Sequence, residues 1–340
     1  MDATKITATM IDTAVSRGIK ELEDDPKRTI RKMADLGRQF STGPFQPKLF
    51  EIFQQLLENE DSPYYDFLQY FLKHTDKDNL KKFGINIGYY SWIHCARILR
   101  AASDEKKRSI PWILDIHYSI CQNNSSINAE DIRNLISDVN HLGINTFSIF
   151  LSGKGIVDNS LFSVFDAFPE SAFFLFTEDA QLTISQQALL KKTGNVILLV
   201  NCSGEDALAT CSALNSSGNL YSIYLKYNDT DVKSLEQRSF HDALSAFPAN
   251  MLYLLRENEN VTCAGELVKN IRMEAKAPYF IWECEYDKAA IGEFLLEKPA
   301  VFLTVLPNGN IQTSALDSKP RILPGVNIKN TGFENIIDSL

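Results

Sequence analysis

The chain has 340 residues, of which 44% are hydrophobic and 23% charged, and its formal net charge is −9. These values are typical of a globular protein of one large or two medium domains. The negative charge argues against a nucleic-acid partner, because binding through phosphates needs clustered lysines and arginines. The six cysteines form no CxxC pair, so neither a zinc knuckle nor a disulfide framework is indicated.

From the sequence we expect neither a membrane span nor an export signal. No apolar run reaches the roughly 20 residues that would span a bilayer, and the first 20 residues lack the uninterrupted apolar core of a signal peptide. The short basic clusters at 106–108 and 191–192 lie at predicted helix ends, where the helix dipole favours positive charge. The sequence therefore predicts a cytoplasmic protein with no membrane and no nucleic-acid partner.

The N-terminal region, residues 1–108, has helical periodicity throughout. Asp25 and Pro26 are typical of an N-cap and first helical position. The aromatic stripe at 64–71 favours a buried helix face, because aromatic rings at helical spacing bury large apolar areas. The helices are expected at about 10–19, 26–42, 48–58, 63–71 and 89–102.

From Pro111 the pattern changes to short apolar runs that alternate with amphipathic segments, which is typical of βα units and a parallel sheet. Six such units predict an α/β fold with a partial (βα)6 barrel. The strands are expected at 112–119, 146–152, 172–177, 196–202, 220–227 and 251–256. The helices between them are expected at 128–142, 160–168, 184–192, 205–214 and 233–246.

After the sixth unit, the sequence predicts a small C-terminal extension that ends in a β-hairpin. Pro307, Asn308 and Gly309 join its two strands, and the Asn-Gly pair favours positive φ at both turn positions. The remaining elements are expected at 261–274, 279–284, 287–296, 300–306 and 310–314. Three domains follow: a helical region at 1–108, the partial barrel at 109–275 and the extension at 276–340.

Several stretches match the motifs of one enzyme family in their order and spacing. The run that ends at 152–155 (Ser-Gly-Lys-Gly) matches the GGEP-like end of that family's second strand. The runs ending at 177–179 (Thr-Glu-Asp) and 201–204 (Asn-Cys-Ser-Gly) match its third and fourth strands. The hairpin at 301–317 matches the start of an auxiliary-cluster domain without its cysteine. In these stretches, which cover about two-thirds of the chain, the sequence resembles radical S-adenosylmethionine (SAM) enzymes with a SPASM-type C-terminal extension, which implies a radical-SAM-like barrel.

The loop after the first strand departs from the family at its cluster motif. The resemblance implies CxxxCxxC there, yet Cys121, Ser125 and Asn128 stand at the three positions. A cluster open at one iron needs three thiolates. We therefore expect no iron-sulfur cluster. Lysine at position 154 replaces the family's acidic group near the SAM amino group, so bound SAM is not expected either.

The candidate site residues follow predicted strands, because a parallel βα barrel carries its functional groups at the carboxyl ends of the strands. Lys154, Glu178 and Cys121 are the candidate catalytic residues. His117 with Glu178 or Asp179 would suit a mononuclear metal. By the resemblance, the degenerate SAM-site positions are Ser152, Gly153, Lys154, Thr177, Glu178 and Asn201.

A structural ion network is the alternative interpretation of the charged residues at these strand ends. It would consist of three basic and three acidic side chains that fill the mouth of a barrel without its cofactor. Its members would be Lys154, Lys226, Arg256, Glu178, Asp179 and Glu257.

Two functions from different classes follow from this pattern. The first is a non-catalytic pseudoenzyme that acts as accessory or scaffold, presenting a peptide or small substrate to an active radical SAM enzyme in a biosynthetic or maturation pathway. It implies a protein partner, either that enzyme or a precursor peptide. The alternative is an enzyme or sensor whose barrel mouth binds a new small ligand or a mononuclear metal. An unrelated βα protein would instead show a seventh and an eighth βα unit.

Overall fold

A computed structural model of the chain describes residues 3–21, 25–40, 51–52, 54–178, 180–248 and 251–340. Its N-terminal part is helical, as predicted. The helices are α1 (Ala3–Glu21), α2 (Pro26–Phe40), α3 (Pro63–His74), α4 (Lys77–Ile85), a π-helix (Asn86–Cys95) and α5 (Ala96–Lys106). Residues 51–52 and 54–56 are also helical. The rest of the helix predicted at 48–58 lies partly outside the described residues, as does the predicted end of the second helix.

Twelve strands are described. They are β1 (Ile113–Ser119), β2 (Thr146–Ser152), β3 (Gly155–Ile156), β4 (Ala172–Thr177), β5 (Ala180–Gln181), β6 (Val196–Asn201), β7 (Tyr221–Tyr227), β8 (Met251–Arg256), β9 (Phe280–Glu283), β10 (Phe302–Val305), β11 (Asn310–Ser314) and β12 (Arg321–Asn327). The strands predicted for the six βα units are confirmed, each to within one residue at either end. The short strands β3 and β5 pair only with each other.

The other ten strands form one main sheet, in the order β12-β11-β10-β1-β2-β4-β6-β7-β8-β9. The two pairs at the β12 edge, β12–β11 and β11–β10, are antiparallel, and the remaining pairs are parallel. The fold is therefore mixed α/β with a large, mostly parallel sheet. The six-unit partial barrel remains a prediction.

The parallel strands outnumber the six that the sequence analysis assigned to the barrel. β9 adds a seventh, and β10 pairs in parallel with β1 on its other side. Within the described chain, β9 and β10 do not pair with each other. The main sheet thus runs across the predicted domain boundary at 275/276, and the eighth parallel strand expected of an unrelated βα protein is present without closing the sheet.

The helices that follow the first strand are α6 (Ala129–Asn140), α7 (Asn159–Ala167), α8 (Ile184–Thr193), α9 (Ala207–Ser217), α10 (Asp229–Ser234), α11 (Arg238–Leu244), α12 (Gly265–Met273), α13 (Cys284–Leu296) and α14 (Phe333–Asp338). The prediction of a single helix at 233–246 is wrong, because parts of two helices, α10 and α11, occupy this stretch. Asn228 caps α10 through its side chain. The Leu235 carbonyl, between the two helices, accepts a hydrogen bond from His241 Nε2 at 2.8 Å, so this carbonyl keeps a partner where the helix is interrupted.

The hairpin between β10 and β11 is present, but its predicted turn is wrong. The Leu306 carbonyl accepts from the Gly309 amide at 2.8 Å, so Pro307 and Asn308 are the two central residues. The proline ring fixes φ near −65° and excludes a positive value at the first of them. Of the residues in this turn, only Gly309 has positive φ, at 86°.

The two faces of the main sheet carry different side chains. We call the outer face the one that bears Leu114, Phe147, Phe173, Leu198 and Ile223, which are buried against α6, α7, α8, α9 and α12. Because side chains alternate along a strand, the residues between them point the other way. We call this opposite side the inner face; it bears Asp115, His117, Phe150, Phe176 and Tyr224.

The inner face is covered by helices from both ends of the chain. Phe71, Leu80 and Phe83, on α3 and α4, pack against side chains of β4, β6 and β8. Helix α13, which connects β9 to β10, lies over the start of β1, where the Trp112 indole donates to the Lys288 carbonyl at 2.9 Å. None of the helices described for this chain is both long and apolar enough to cross a bilayer.

Candidate functional site

Two cavities lie along the inner face and meet in its middle. The mouth cavity, about 360 Å³, lies at the carboxyl ends of the parallel strands and is lined by charged and polar side chains. The apolar chamber, about 290 Å³, lies at their amino ends beneath α3, α4 and the π-helix. Phe176, Cys284 and Lys288 line both. The two cavities therefore adjoin at these three residues, and the lining changes from polar to apolar along the strands.

A buried ion pair marks the junction of the two cavities. Lys288 Nζ donates to both carboxylate oxygens of Asp115, at 2.7 and 2.8 Å, and the two side chains are 12% and 17% exposed. Burial opposes the positive charge of Lys288, but the attraction of Asp115 outweighs it, so the pKa of Lys288 lies above its usual value. The amine is therefore held protonated, as a fixed charge rather than a nucleophile.

Helix α13 places Lys288 because its buried face has regular helical spacing. Cys284, Lys288, Ile291 and Leu295 follow at intervals of four, three and four residues. The helix begins there because Glu283 acts as its N-cap, accepting from the Tyr286 amide at 2.6 Å. Burial raises the pKa of the Cys284 thiol well above its usual value, which keeps it neutral.

His117 lies in the mouth cavity with its ring free for a ligand. The imidazole stacks on Phe150, with ring centroids 4.9 Å apart. Neither ring nitrogen is hydrogen-bonded to any residue that the structure describes. Burial lowers the pKa of His117, so the ring is neutral near pH 7 and offers one donor and one acceptor.

An aromatic row continues from His117 across the inner face. Phe150 and Phe176 stack with centroids 4.4 Å apart, and Phe176 meets Tyr224 edge-on at 5.3 Å. The row follows the register of the sheet, in which His117 pairs with Phe150 and Phe150 with Phe176. All four rings line the mouth cavity, and Phe176 also lines the apolar chamber.

Two further sets of charges surround the mouth cavity. Lys226 forms an ion pair with Glu178, and both side chains are about 40% exposed. Arg256 pairs with Glu285 and, at 2.9 Å, with Asp317. Its Nε is buried and has no acceptor among the described residues. The cavity thus presents both signs of charge, and side chains of the C-terminal hairpin complete its wall: Phe302, Thr304, Gln312 and Ser314.

Some of the residues predicted from the sequence come together in this cavity, and others do not. His117, Ser152 and Glu178 line it, together with Lys226, Arg256 and Glu257. The candidates that lie outside its lining are Cys121, Gly153, Lys154, Thr177 and Asn201. Asp179 lies outside the described residues. Glu178 pairs with Lys226, not with Lys154, which is exposed.

The loop at 121–128 uses its polar side chains for its own conformation. Asn123 Oδ1 accepts from the amides of Ser125 and Ser126 at 2.9 and 3.0 Å. Asn128 caps α6 through its side chain. Cys121 is exposed and is the one thiol in this loop. This donor set does not fit a four-iron cluster, since hard neutral ligands replace the thiolates.

No metal-binding group was found in the described part of the chain, where a group means three or more His, Cys, Asp or Glu side chains close together. His117 and Glu178 line the same cavity, but among the described residues, which do not include Asp179, they belong to no group of three such side chains. The metal site that the sequence suggested therefore stays a prediction.

The sequence analysis did not include Asp115, Lys288 and Cys284 among the site residues. One signal was present for Asp115, a charged residue between the apolar residues Leu114 and Ile116 of a buried strand. The signal for Lys288 was its position on the apolar stripe of a predicted helix. Asp115, Lys288 and Cys284 come together only because α13 crosses the inner face, and no local sequence pattern predicts that crossing.

Comparison with known proteins gives likeness in structure alone. No protein-family model and no curated protein matches the chain. The structure of Streptococcus suis SuiB bound to S-adenosylmethionine is similar with a TM-score of 0.47 and 13% identity, over 71% of this chain and 66% of that chain. A second structure of Streptococcus suis SuiB gives a TM-score of 0.44 and 12% identity, over 63% of each chain.

These likenesses concern the fold only. Both TM-scores are below 0.5, so the radical-SAM-like fold implied by the sequence stays a prediction. The chain spans less than two-thirds of the length of either SuiB chain. At these scores, neither the ligand nor the activity of SuiB carries over to this protein.

Proposed function

We propose that this protein binds a small polar organic molecule in the mouth cavity, without iron-sulfur chemistry. The observation that carries the proposal is His117, a neutral imidazole in a charged cavity whose ring nitrogens have no hydrogen-bond partner among the described residues. Arg256 Nε in the same lining is buried without an acceptor among the described residues, and a polar group removed from water without a partner is costly. A ligand that accepts from Arg256 and bonds to the ring would satisfy both groups.

The charges around His117 indicate the kind of ligand. The mouth cavity offers cationic groups on Lys226, Arg256 and Lys288, each beside a carboxylate. Alternating charges of this kind suit a ligand that has both signs or several hydrogen-bonding groups, because it can bond to each member of a pair. We therefore expect a zwitterionic or amide-bearing molecule.

Binding fits the ionisation of the site better than covalent catalysis does. A lysine that forms a Schiff base needs a lowered pKa, whereas that of Lys288 is raised. A nucleophilic cysteine needs a thiolate, whereas the pKa of Cys284 is also raised. Both groups are suited to recognition. The accessory or scaffold role, with a radical SAM enzyme or precursor peptide as partner, remains a prediction from the sequence.

Native mass spectrometry of anaerobically purified protein, with and without added SAM, tests the proposal. We expect a small organic adduct on the wild-type protein and its loss from the His117→Ala variant. His141→Ala is the matched control, because that histidine is exposed and pairs only with Glu334 at the surface. It should keep the adduct.

Other spectra would contradict parts of the proposal. A bare mass for the wild-type protein, with and without SAM, argues against ligand binding, as does an adduct that His117→Ala retains. A mass increase of iron and sulfide would show that the absence of a cluster is wrong. A complex with a second protein would support the accessory role.

A further inference from the structure

The apolar chamber is large for a protein interior. Its volume of about 290 Å³ compares with about 150 Å³ for an engineered apolar cavity that binds benzene. Protein cores are close-packed and rarely leave voids larger than a water molecule. A space of this size fits a bicyclic aromatic group.

The walls of the chamber are rich in aromatic rings. Eight of its lining residues carry rings: Phe71, Phe83, Trp92, Trp112, Phe174, Phe176, Tyr253 and Trp282. Aromatic rings attract one another in edge-to-face and offset arrangements, so such walls favour an aromatic occupant. Water is a poor occupant, because a buried water needs two to four polar partners.

Two glycines keep part of the chamber open. Gly84 on α4, which is exposed, and Gly88 on the π-helix, which is half-buried, both line it, and a Cβ built on either residue would meet no atom within 4 Å outside its own stretch of helix. Glycine destabilises a helix by about 1 kcal/mol relative to alanine. Since packing does not require glycine at these positions, the space beside them is available to a ligand.

The helix over the chamber is itself unusual. Residues 86–95 form a π-helix, whose end is marked by the Ala96 amide donating to the Ser91 carbonyl five residues earlier. Helices of this kind are rare, mostly span a single turn and are frequent at functional sites. Here the π-helix is the wall that carries Gly88.

We propose that the apolar chamber receives an aromatic group of the molecule whose polar head lies in the mouth cavity. The ligand is then amphipathic, a bicyclic aromatic group bearing a zwitterionic or amide head. Its ring lies beyond Phe176 and its head beside Lys288, where the two cavities meet. This inference rests on the proposed function, because the head and the ring belong to one molecule.

Three probes separate the parts of this ligand. Naphthalene represents the ring alone, glycine the head alone, and 3-(2-naphthyl)-L-alanine both together. We expect the wild-type protein to bind naphthalene, and to bind naphthylalanine at least tenfold more tightly than naphthalene or glycine. Binding is measured by fluorescence titration and calorimetry with the full chain. No naphthalene binding at its solubility limit would overturn the inference.

Filling the chamber gives the decisive variant. The double substitution Gly84→Leu and Gly88→Leu should weaken naphthalene binding at least tenfold. The milder pair Gly84→Ala and Gly88→Ala guards against a folding defect: it should weaken binding and raise Tm by about 2 °C, since alanine is the better helix former. Gly332→Ala is the control, because Gly332 does not line the chamber and a Cβ built on it also meets no atom within 4 Å. Unchanged binding in a folded Gly84→Ala, Gly88→Ala protein would contradict the inference.

The His117→Ala variant distinguishes failure of this inference from failure of the proposed function. It should reduce naphthylalanine affinity towards that of naphthalene and leave naphthalene binding unchanged. If only the glycine substitutions act, the chamber binds a ring and the mouth proposal is wrong. The opposite result is loss of the small-molecule adduct from His117→Ala together with no naphthalene binding to the wild-type protein. In that case the mouth proposal stands and the chamber inference is wrong.

Discussion

The outer and inner faces of the main sheet are built for different tasks. On the outer face, Phe147 and Phe173 are fully buried and stack with centroids 5.4 Å apart. On the inner face, Asp115 and Lys288 form an ion pair beside two cavities. Close packing stabilises a fold, whereas charges and open volume do not. The difference indicates that one face holds the sheet together and leaves the other available for a ligand.

The largest expected effect comes from truncating adjacent residues on opposite faces. Phe173→Ala removes a ring packed between Phe147 and Phe165, and we expect it to cost about 3–5 kcal/mol of unfolding free energy. Phe174→Ala should cost clearly less, because Phe174 already borders the apolar chamber and loses fewer neighbours. Denaturant unfolding of both variants measures the difference.

A matched binding assay completes that comparison. Phe174→Ala should alter naphthalene binding, whereas Phe173→Ala should leave it unchanged at temperatures where the protein is folded. Equal losses of unfolding free energy in Phe173→Ala and Phe174→Ala would mean that the inner face is packed as tightly as the outer one. That result would contradict the difference between the two faces.

The second largest effect concerns the buried pair Arg272 and Asp287. Arg272 donates two hydrogen bonds to the Asp287 carboxylate, at 2.7 and 3.1 Å, and a third to the Ile281 carbonyl. Asp287→Ala leaves a buried guanidinium without its counter-ion, so we expect a loss of about 3–5 kcal/mol in chemical denaturation. A loss below 1 kcal/mol would show that the pair is solvated. Asp287→Asn is the conservative control and should lose less, since its amide oxygen still accepts.

How far the sequence predicts this molecule depends on the range of the interactions involved. The strands of the βα units were placed to within a residue, because their apolar runs and the helices between them are local patterns. The turn at 307–309 was misjudged although its signal is local, since Pro307 overrides the preference of an Asn-Gly pair. The break within 233–246 depends on His241 bonding to Leu235 across the gap.

The candidate site was predicted only where the strand ends define it. His117 and Glu178 were found from their positions at the ends of strands, and Ser152 from the family resemblance. Lys288 was not, because α13 brings it to Asp115 over 173 residues of intervening sequence. The chamber beneath the π-helix depends on the docking of N-terminal helices on the inner face. Such contacts arise from tertiary packing, which periodicity does not encode.

The third prediction uses pH to compare His117, on the inner face, with the buried His241. Burial lowers the pKa of both below the usual 6.5, so the unfolded chain binds protons more readily than the folded one. Their contribution to stability is therefore fully present above about pH 6.5 and is lost as the pH falls below it, by up to about 1.4 kcal/mol per pH unit for each residue.

A variant at position 117 isolates the contribution of His117 to this pH-dependent loss of stability. Unfolding free energies of the wild-type protein and His117→Phe are compared at pH 7.5 and 5.5, and the variant should lose less stability between the two. His141→Phe is the control and should keep the wild-type slope, since its side chain is 57% exposed. Identical slopes for the wild type and His117→Phe would mean that His117 does not titrate differently on folding.

The smallest effect on stability is expected at Glu178, and it separates binding from folding most directly. Its ion pair with Lys226 is about 40% exposed on both sides, so Glu178→Gln should cost no more than about 1 kcal/mol. The same substitution removes one carboxylate from the mouth cavity and should lower the affinity for the zwitterionic probe naphthylalanine but not for naphthalene. An unchanged affinity for both probes would place the head away from Glu178. Because the fold depends so little on this pair, a change in binding there cannot be ascribed to unfolding.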